Sequence, residues 1–171
     1  MNMYYAQIRK YDVANGPGIR SSLFVSGCTH GCLGCFNEDY QNFRYGNLWT
    51  KEIENQFIKH LKDSNIRGVT ILGGEPMDQI NDKDLKNLIK RIKKETQLNI
   101  WIYSGYTYEE IVVHPNRREI LTHCDVLVDG KFIQEFKDLK LKFRGSRNQR
   151  IIDVQSSLVS QQVCLLPDDE Y

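Results

Sequence analysis

The chain has 171 residues, 40% of them hydrophobic, which is enough for one buried core and too few for a second full domain. Its 23 basic and 22 acidic side chains leave a net charge of +1, so no overall field attracts nucleic acid or an anionic membrane surface. We therefore expect residues 1–171 to form a single domain that recognises its partners through local surfaces, with neither nucleic acid nor a membrane among them.

The distribution of apolar residues and cysteines indicates the compartment. Residues 1–11 are polar and aromatic, without the apolar run of a signal peptide, and no later stretch approaches about 18 consecutive apolar residues. Five cysteines are an odd number, and three of them fall within residues 28–35, where disulfides between neighbours are geometrically awkward. We predict a cytoplasmic protein whose reduced thiols are free to bind metal.

Short apolar runs alternate with amphipathic segments along the chain. The runs that predict strands are residues 19–26, 69–72, 99–103, 125–128 and 149–154. Between them, Thr50 and Asp82 are the predicted N-caps of two helices, and Thr107 with Glu110 forms a capping box that opens a third. Pro115 is expected to end or interrupt this third helix.

The alternation of strands and helices predicts an α/β fold with right-handed crossovers and a parallel sheet, either open and doubly wound or curled into part of a barrel. Four unusual segments each follow a predicted strand, at residues 28–35 (CTHGCLGC), 73–76 (GGEP), 103–106 (YSGY) and 129–132 (DGKF). The carboxyl ends of parallel strands lie on one face, where ligand sites are built. We therefore expect these four loops to converge.

Cys28, Cys32 and Cys35 place three thiols on one short loop, and the glycines among them supply the backbone freedom to wrap an inorganic core. A saturated 4Fe-4S cluster takes four cysteines, so three ligands would leave one iron open to a substrate, much as catalytic zinc keeps an open position. The loop therefore indicates a cluster that takes part in catalysis rather than one that only stores electrons.

The same loop also fits a zinc site in a non-catalytic α/β binding module. His30, Cys124 or Cys164 would then complete a tetrahedron of ligands. We favour another interpretation of these three residues. His30 is read as a polar loop residue, Cys124 as a buried thiol at the start of a strand, and Cys164 as an incidental thiol near the end of the chain.

The cysteine spacing, followed by Gly-Gly-Glu-Pro at residues 73–76, resembles the radical S-adenosylmethionine (SAM) superfamily. Further segments at residues 15–20 (NGPGIR), 28–37, 103–106 and 144–150 (RGSRNQR) resemble the activating proteins of anaerobic ribonucleoside-triphosphate reductase, and the likeness covers almost the whole chain. The alternatives within the same chemistry are an activase of pyruvate formate-lyase and a small-molecule enzyme of deazaguanine synthesis.

The resemblance implies a cluster and a radical reaction. Three irons of a 4Fe-4S cluster would be ligated by Cys28, Cys32 and Cys35, and the amino and carboxylate groups of SAM would bind the fourth. Reductive cleavage of SAM would give methionine and a 5′-deoxyadenosyl radical, which would take a hydrogen atom from a glycine of anaerobic ribonucleoside-triphosphate reductase. A one-electron donor such as flavodoxin would reduce the cluster, and the fold would be a partial, incomplete parallel β/α barrel of the radical SAM type.

The resemblance also implies where the methionyl part of SAM binds. Gly73, Gly74 and Glu75 would receive the methionyl amino group along an exposed strand edge. Pro76 would fix the turn that follows. Beyond the cluster and SAM, no further catalytic side chain is implied.

The rest of SAM is assigned to two further groups of residues. The adenine would lie against the backbone of Gly34, Cys35 and Phe36, and the Phe36 ring would be able to stack on it. Contacts to the ribose or the carboxylate are implied for three residues at the ends of two later strands, namely Ser104, Asp129 and Lys131.

Residues 144–150 carry three arginines in seven positions. Such a segment is a phosphate or nucleic-acid patch, a partner-docking loop, or an ordinary solvated loop. Because the chain as a whole is close to neutral, we favour a role at the edge of the site or in docking a partner.

Overall fold

The computed structural model describes residues 2–171. The strands are β1 (Tyr4–Asp12), β2 (Arg20–Val25), β3 (Asn47–Leu48), β4 (Gly68–Gly73), β5 (Asn99–Ser104), β6 (Val126–Asp129) and β7 (Arg150–Asp153). The helices are α1 (Lys51–Leu61), α2 (Asp84–Glu95), α3 (Tyr108–Val112), α4 (Pro115–Leu121) and α5 (Val154–Ser160). These strands form one mixed sheet in the order β3-β1-β2-β4-β5-β6-β7, which is open, with β3 and β7 at its edges.

The middle of the sheet is parallel, as the alternation of strands and helices predicts. β2 pairs with β4, β4 with β5, and β5 with β6, all in the parallel sense. Four of the predicted strands form here, and their ends differ from the predicted ends by at most one residue. The prediction of an α/β fold is therefore confirmed for this part of the chain.

Both sides of the sheet are antiparallel, so the prediction of a wholly parallel sheet is wrong there. β1 pairs antiparallel with β2 and with β3, and the sequence interpretation missed β1 because its residues form no apolar run. The predicted strand at residues 149–154 forms as β7 but pairs antiparallel with β6. The described connection at residues 130–149 holds only a short 3-10 turn, whereas a parallel strand needs a crossover that is usually a helix.

The helix starts follow the capping predictions in part. Thr50 caps α1 by accepting a hydrogen bond from the backbone of the third helical residue, and Thr107 with Glu110 forms the predicted capping box of α3. The helix expected directly after Asp82 is α2, which begins at Asp84. Its N-cap position is Lys83, so Asp82 is not the N-cap. Pro115 opens α4, because a proline in the first turn lacks only an N–H that would have no helical partner.

Apolar side chains fill the space between the sheet and the helices. Leu23, Ile71 and Ile102 point from three neighbouring strands into one cluster, where they meet Leu88 and Ile92 of α2. All five are fully buried, and burying each such side chain stabilises the fold by about 1.5–3 kcal/mol. Among residues 2–171, we find no helix that is both long enough and apolar enough to cross a membrane.

The start of β2 carries a buried cation. Arg20 is fully buried, and its guanidinium donates to Thr70 Oγ1 at 2.9 Å and to Asn99 Oδ1 at 2.7 Å. Burial lowers the pKa of Arg20 to about 10. These bonds join the NGPGIR segment to β4 and β5, so its arginine has a structural role at the edge of the sheet opposite the cysteine loop.

Asp12 gives the protein a pH-dependent component of stability. Burial opposes ionisation, but donors on Ser22, Asn15 and Ala14, at 2.6–2.8 Å, hold the pKa of Asp12 below its usual value. The ionised carboxylate therefore stabilises the fold at neutral pH, and this contribution is lost as pH falls below about 4 through the folded-state pKa. We expect Asp12→Asn to lower the free energy of unfolding by about 1–3 kcal/mol at neutral pH.

The difference between wild type and Asp12→Asn should shrink as the pH is lowered below about 4. Urea denaturation followed by circular dichroism at a series of pH values measures it. A difference that stays constant down to the acid transition would show that Asp12 contributes no such linkage.

Candidate iron–sulfur site

The loops that follow the parallel strands meet at one edge of the sheet, as predicted. Thr29 of the cysteine loop donates to Asp78 Oδ2 from both its N–H and its hydroxyl at 2.9 Å. The Tyr106 hydroxyl donates to the other carboxylate oxygen of Asp78 at 2.7 Å. The loop after β6 joins them, since Gly130 N donates to Tyr106 O at 3.3 Å. Segments far apart in sequence therefore form one site.

The cysteine loop has the backbone that its glycines allow. Gly31 and Gly34 have φ values of 61° and 73°, in the left-handed region that other residues seldom adopt. Cys35 N donates to Cys32 O at 3.3 Å, which closes a turn between two of the three thiols. Cys28, Cys32 and Cys35 are each partly exposed, so the loop presents its sulfurs at the surface of the site.

Two thiols of this loop, those of Cys28 and Cys32, have a raised pKa. Burial is the main cause that raises the pKa of Cys28 to about 11, and the nearby carboxylates of Glu75 and Asp78 contribute in the same direction. Burial also raises the pKa of Cys32, although the positive charge of Lys131 acts in the opposite direction. Because only thiolates ligate metal, binding iron at this loop must release protons.

The donor set fits a 4Fe-4S cluster, because three thiols of one loop would ligate three irons and leave the fourth open. The two other cysteines, which could complete a zinc site, lie elsewhere in the fold. Cys124 lies buried before the start of β6, at the opposite end from the site, and Cys164 pairs with the backbone of β7.

Glu75 is the centre of the hydrogen-bond network beside the cysteine loop. Its side chain is only 1% exposed. Oε1 accepts from Gly105 N at 2.6 Å and lies 2.6 Å from His30 Nε2, while Oε2 accepts from Ser104 Oγ at 2.9 Å and from Met77 N at 2.8 Å. A buried carboxylate with several hydrogen-bond partners is held in one orientation.

His30 has a more specific place than the sequence interpretation gave it. His30 does lie in the loop, as predicted, but its side chain is 6% exposed and pairs with Glu75, which the prediction did not include. Its ring also lies 4.4 Å from the ring of Tyr106. The position of His30 between two cysteines of the loop was the signal in the sequence that placed it close to the site.

Asp78, Tyr106 and Arg117 were not singled out by the sequence interpretation. Arg117 lies over the Tyr106 ring at 3.8 Å and 3.5 Å from Asp78 Oδ1. The three side chains brace the cysteine loop through Thr29. An open cleft of about 380 Å³ adjoins them on the side of the N-terminal strand, lined in part by Tyr4, Asp78 and Gln79.

The Gly-Gly-Glu-Pro turn is packed tightly against the end of β2. A Cβ at Gly73 would lie 2.5 Å from Val25 O, and one at Gly74 would lie 2.6 Å from Gly27 O. Gly73 also has a φ of 109°, so both positions need glycine. Pro76 begins a buried 3-10 turn that carries Met77 and Asp78, and its role in fixing this turn fits the geometry.

Phe36 and Gly34 lie where the cysteine loop meets the segment after β6. Phe36 is 68% exposed, its ring is 4.9 Å from that of Phe132, and Gln134 lies against Gly34. Lys131 is exposed nearby. An exposed aromatic surface beside Cys35 is compatible with the predicted contact to adenine, which stays a prediction.

Ser104 and Asp129 are both buried and already paired. Ser104 Oγ donates to Glu75 and accepts from Tyr106 N at 3.0 Å, so it orients the carboxylate. Asp129 accepts from Tyr108 N at 2.8 Å and forms an ion pair with Arg150 at 2.5 Å. The contacts of Ser104, Asp129 and Lys131 with SAM stay predictions, and for Asp129 the structure displays a role in holding β6, α3 and β7 together.

The arginines of residues 144–150 differ in their surroundings. Arg150 bridges Asp129 and Glu109, and these two carboxylates raise its pKa. Arg144 donates to Gln149 O at 2.5 Å within the same loop. Arg147 is exposed, with its guanidinium 5.7 Å from the ring of Phe136. Two of the three arginines therefore stabilise the loop, and Arg147 remains on its surface.

A comparison with protein families agrees with this geometry. A family model described as a 4Fe-4S single cluster domain matches residues 14–152. The matched range includes the cysteine loop, the Glu75 network and the four parallel strands. The fold and the site therefore define an α/β protein of the iron–sulfur cluster class.

Curated relatives cover most of the chain. A protein of Vibrio cholerae serotype O1 is 44% identical over 152 residues, which is 87% of this chain and 97% of the relative. A protein of Haemophilus influenzae is 43% identical over the same shares of the two chains. A protein of Escherichia coli K12 is 40% identical over 86% of this chain and 96% of the relative. All three are named anaerobic ribonucleoside-triphosphate reductase-activating protein.

The chain belongs to the family of anaerobic ribonucleoside-triphosphate reductase-activating proteins. It is a radical SAM activating enzyme whose cofactors are a 4Fe-4S cluster and SAM. The resemblance noted in the sequence is thereby confirmed, and the family favours the cluster over the alternative zinc site.

Proposed function

We propose that this protein cleaves SAM reductively and places a glycyl radical on anaerobic ribonucleoside-triphosphate reductase. One electron delivered to the SAM sulfonium releases methionine, and the 5′-deoxyadenosyl radical takes a hydrogen atom from a glycine of the reductase, leaving 5′-deoxyadenosine and the glycyl radical. The observation that carries the proposal is the buried Glu75 carboxylate, fixed beside a loop of three cysteines. The relatives named for activating this reductase support the choice of partner.

In this proposal each part of the chain has a separate task. Cys28, Cys32 and Cys35 hold three irons, and the bound cluster supplies the electron. Glu75 and the backbone of Gly73 and Gly74 receive the methionyl amino group. A carboxylate suits this role because it attracts an ammonium group and is itself held in place by four donors.

The adenosine part is assigned to neighbouring loops in the same proposal. The backbone of Gly34 and Cys35, with the ring of Phe36, faces the adenine. Ser104 and Asp129, at the ends of β5 and β6, and Lys131, in the loop after β6, are assigned to the ribose or the carboxylate. The exposed ring of Phe36 supports this arrangement, because aromatic faces stack well on flat heterocycles.

The shape of the sheet suits a protein substrate. The strands form an open sheet with β3 and β7 as its outermost strands, and we propose that this is an incomplete barrel of the radical SAM type in a single domain. An open mouth leaves room for a glycine-bearing loop of a large partner. Docking of that partner would then exclude water from the radical. The five free cysteines support a reducing compartment, and we propose the cytoplasm.

An anaerobic reconstitution tests the proposed function. The purified protein is loaded with iron and sulfide, then given SAM and dithionite, with and without the reductase. We expect 5′-deoxyadenosine in both cases and a glycyl radical signal in electron paramagnetic resonance only with the reductase. Cleavage of SAM with no radical on the reductase, but with one on pyruvate formate-lyase, would favour the other class of activase.

A further inference from the structure

The segment that packs against the cysteine loop, residues 131–147, is strongly basic in an otherwise slightly acidic protein. It carries six basic and two acidic side chains, whereas the rest of the chain carries 17 basic and 20 acidic ones. Over part of its surface, aromatic rings are exposed together with cations. Local charge of this kind steers an oppositely charged partner even where the net charge of the whole protein is near zero.

The exposed part of this segment continues onto the cysteine loop. We call this surface the basic aromatic patch and define it by Phe36, Phe132, Phe136, Lys137 and Arg147. Phe36 packs on Phe132 at 4.9 Å, Lys137 Nζ lies 5.6 Å from the centre of the Phe36 ring, and Arg147 lies 5.7 Å from that of Phe136. The patch therefore begins one residue away from Cys35.

The cations of the patch differ from many of those on the helices. Lys86, Lys90 and Lys93 each form an ion pair with a carboxylate. Among the described residues, neither Lys137 nor Arg147 lies within ion-pair distance of a carboxylate. Unpaired charge next to exposed aromatic rings is typical of a protein–protein interface, because both can be covered by a partner.

We propose that the basic aromatic patch docks an acidic one-electron carrier protein, whose flavin or iron–sulfur centre lies near its own surface. This inference rests on the proposed function, since reductive cleavage of SAM needs an electron from outside. Apart from the cysteine loop, the chain has only Cys124 and Cys164, which are too few to hold a second cluster. A carrier must therefore come close to the cluster from the protein surface.

The position of the patch favours the carrier over the reductase as its occupant. The patch meets the loop of cluster ligands at Phe36, after the last cysteine, whereas the Glu75 network proposed to hold the methionyl group of SAM meets that loop at His30, between the first two cysteines. An electron donor has to approach the cluster, and the reductase has to approach the bound SAM. Positive charge on Lys137 and Arg147 complements an acidic carrier.

Charge reversal at two positions tests the proposal. Lys137→Glu with Arg147→Glu removes positive charge from the patch, and Lys59→Glu with Lys94→Glu makes the same change in net charge on the exposed faces of α1 and α2. Each protein is reconstituted with its cluster and supplied with SAM. The electron source is either reduced flavodoxin, as an acidic carrier, or dithionite, which needs no docking surface.

At low ionic strength, we expect the patch variant to form 5′-deoxyadenosine about 10–100-fold more slowly than wild type with limiting flavodoxin. Its rate with dithionite should be unchanged, which shows that the cluster and the SAM site are intact. The control variant should stay within about twofold of wild type with both reductants. Added salt should slow the wild type with flavodoxin and reduce the difference between the proteins.

Several results would overturn the docking proposal while leaving the proposed function intact. One is a patch variant that matches the control variant with flavodoxin. Another is a patch variant that keeps its flavodoxin-driven rate but loses radical transfer to the reductase, which would assign the patch to the reductase. A third is a wild-type protein that dithionite activates and flavodoxin does not. Absence of 5′-deoxyadenosine from the wild type with dithionite would instead contradict the proposed function, and the docking inference with it.

Discussion

Cys32→Ala should lower the rate of 5′-deoxyadenosine formation by at least about 1,000-fold. Each thiolate of the cysteine loop is proposed to hold one iron, and the chemistry of the reaction belongs to the cluster and SAM rather than to a side chain. His30 is the nearest alternative ligand in sequence, but its Nε2 is engaged with Glu75 at 2.6 Å. The measurements are bound iron and sulfide, visible absorbance, and 5′-deoxyadenosine with dithionite as reductant.

Cys164→Ser is the matched control for this substitution. Cys164 is also partly exposed, but its Sγ lies 3.4 Å from Ser160 Oγ beside α5, away from the cysteine loop. This variant should keep its iron and its rate of SAM cleavage. A Cys32→Ala protein that cleaves SAM as fast as wild type would show that the ligands are assigned incorrectly.

Glu75→Gln should weaken SAM binding and destabilise the fold together. The glutamine amide would place its NH₂ group against either Gly105 N or Met77 N, which now donate to the two different carboxylate oxygens. Charge-assisted hydrogen bonds are worth about 1.5–3 kcal/mol each. We therefore expect a loss of about 2–3 kcal/mol in the free energy of unfolding and roughly 10–100-fold weaker binding of SAM to the cluster-loaded protein.

Two controls separate the effect of the charge from a general effect of substitution. Glu52→Gln makes the same chemical change on the exposed face of α1 and should alter stability by less than about 0.5 kcal/mol. Ser104→Ala removes one donor to Glu75 and should cost about 1 kcal/mol. Equilibrium binding of SAM and urea denaturation measure both quantities. SAM affinity equal to wild type in Glu75→Gln would argue against the proposed role of this carboxylate.

The kind of site in this protein can be predicted from the sequence, because its motifs are defined by the spacing of residues that are close together in the chain. Cys28, Cys32 and Cys35 lie on one short loop whatever the rest of the fold does, and Gly73 to Pro76 form a turn after an apolar run. The four central strands were also predictable, since buried parallel strands read as short apolar runs bounded by turn residues. These local signals predicted the α/β class and a metal site, and the resemblance to radical SAM proteins decided between a cluster and zinc.

The antiparallel strands β1 and β7 show where local pattern was insufficient. β1 is only partly buried beside the parallel strands, and its residues 4–12 contain no apolar run. β7 has the expected residues, but its direction depends on how the preceding twenty residues cross or return along the sheet. The direction of a strand depends on its connections and its pairing, and the periodicity of one segment does not determine it.

The partners of the site residues depend on contacts between distant parts of the chain. Sequence spacing placed Glu75 in the site, but not its bond to His30, 45 residues earlier, nor the bond between Asp129 and Arg150 that makes one arginine of the RGSRNQR loop structural. Short-range spacing follows from covalent geometry, so the sequence supplies the ligands and the kind of chemistry. Which buried charges pair is settled when the loops pack, because burial is tolerated only where each charge finds a partner.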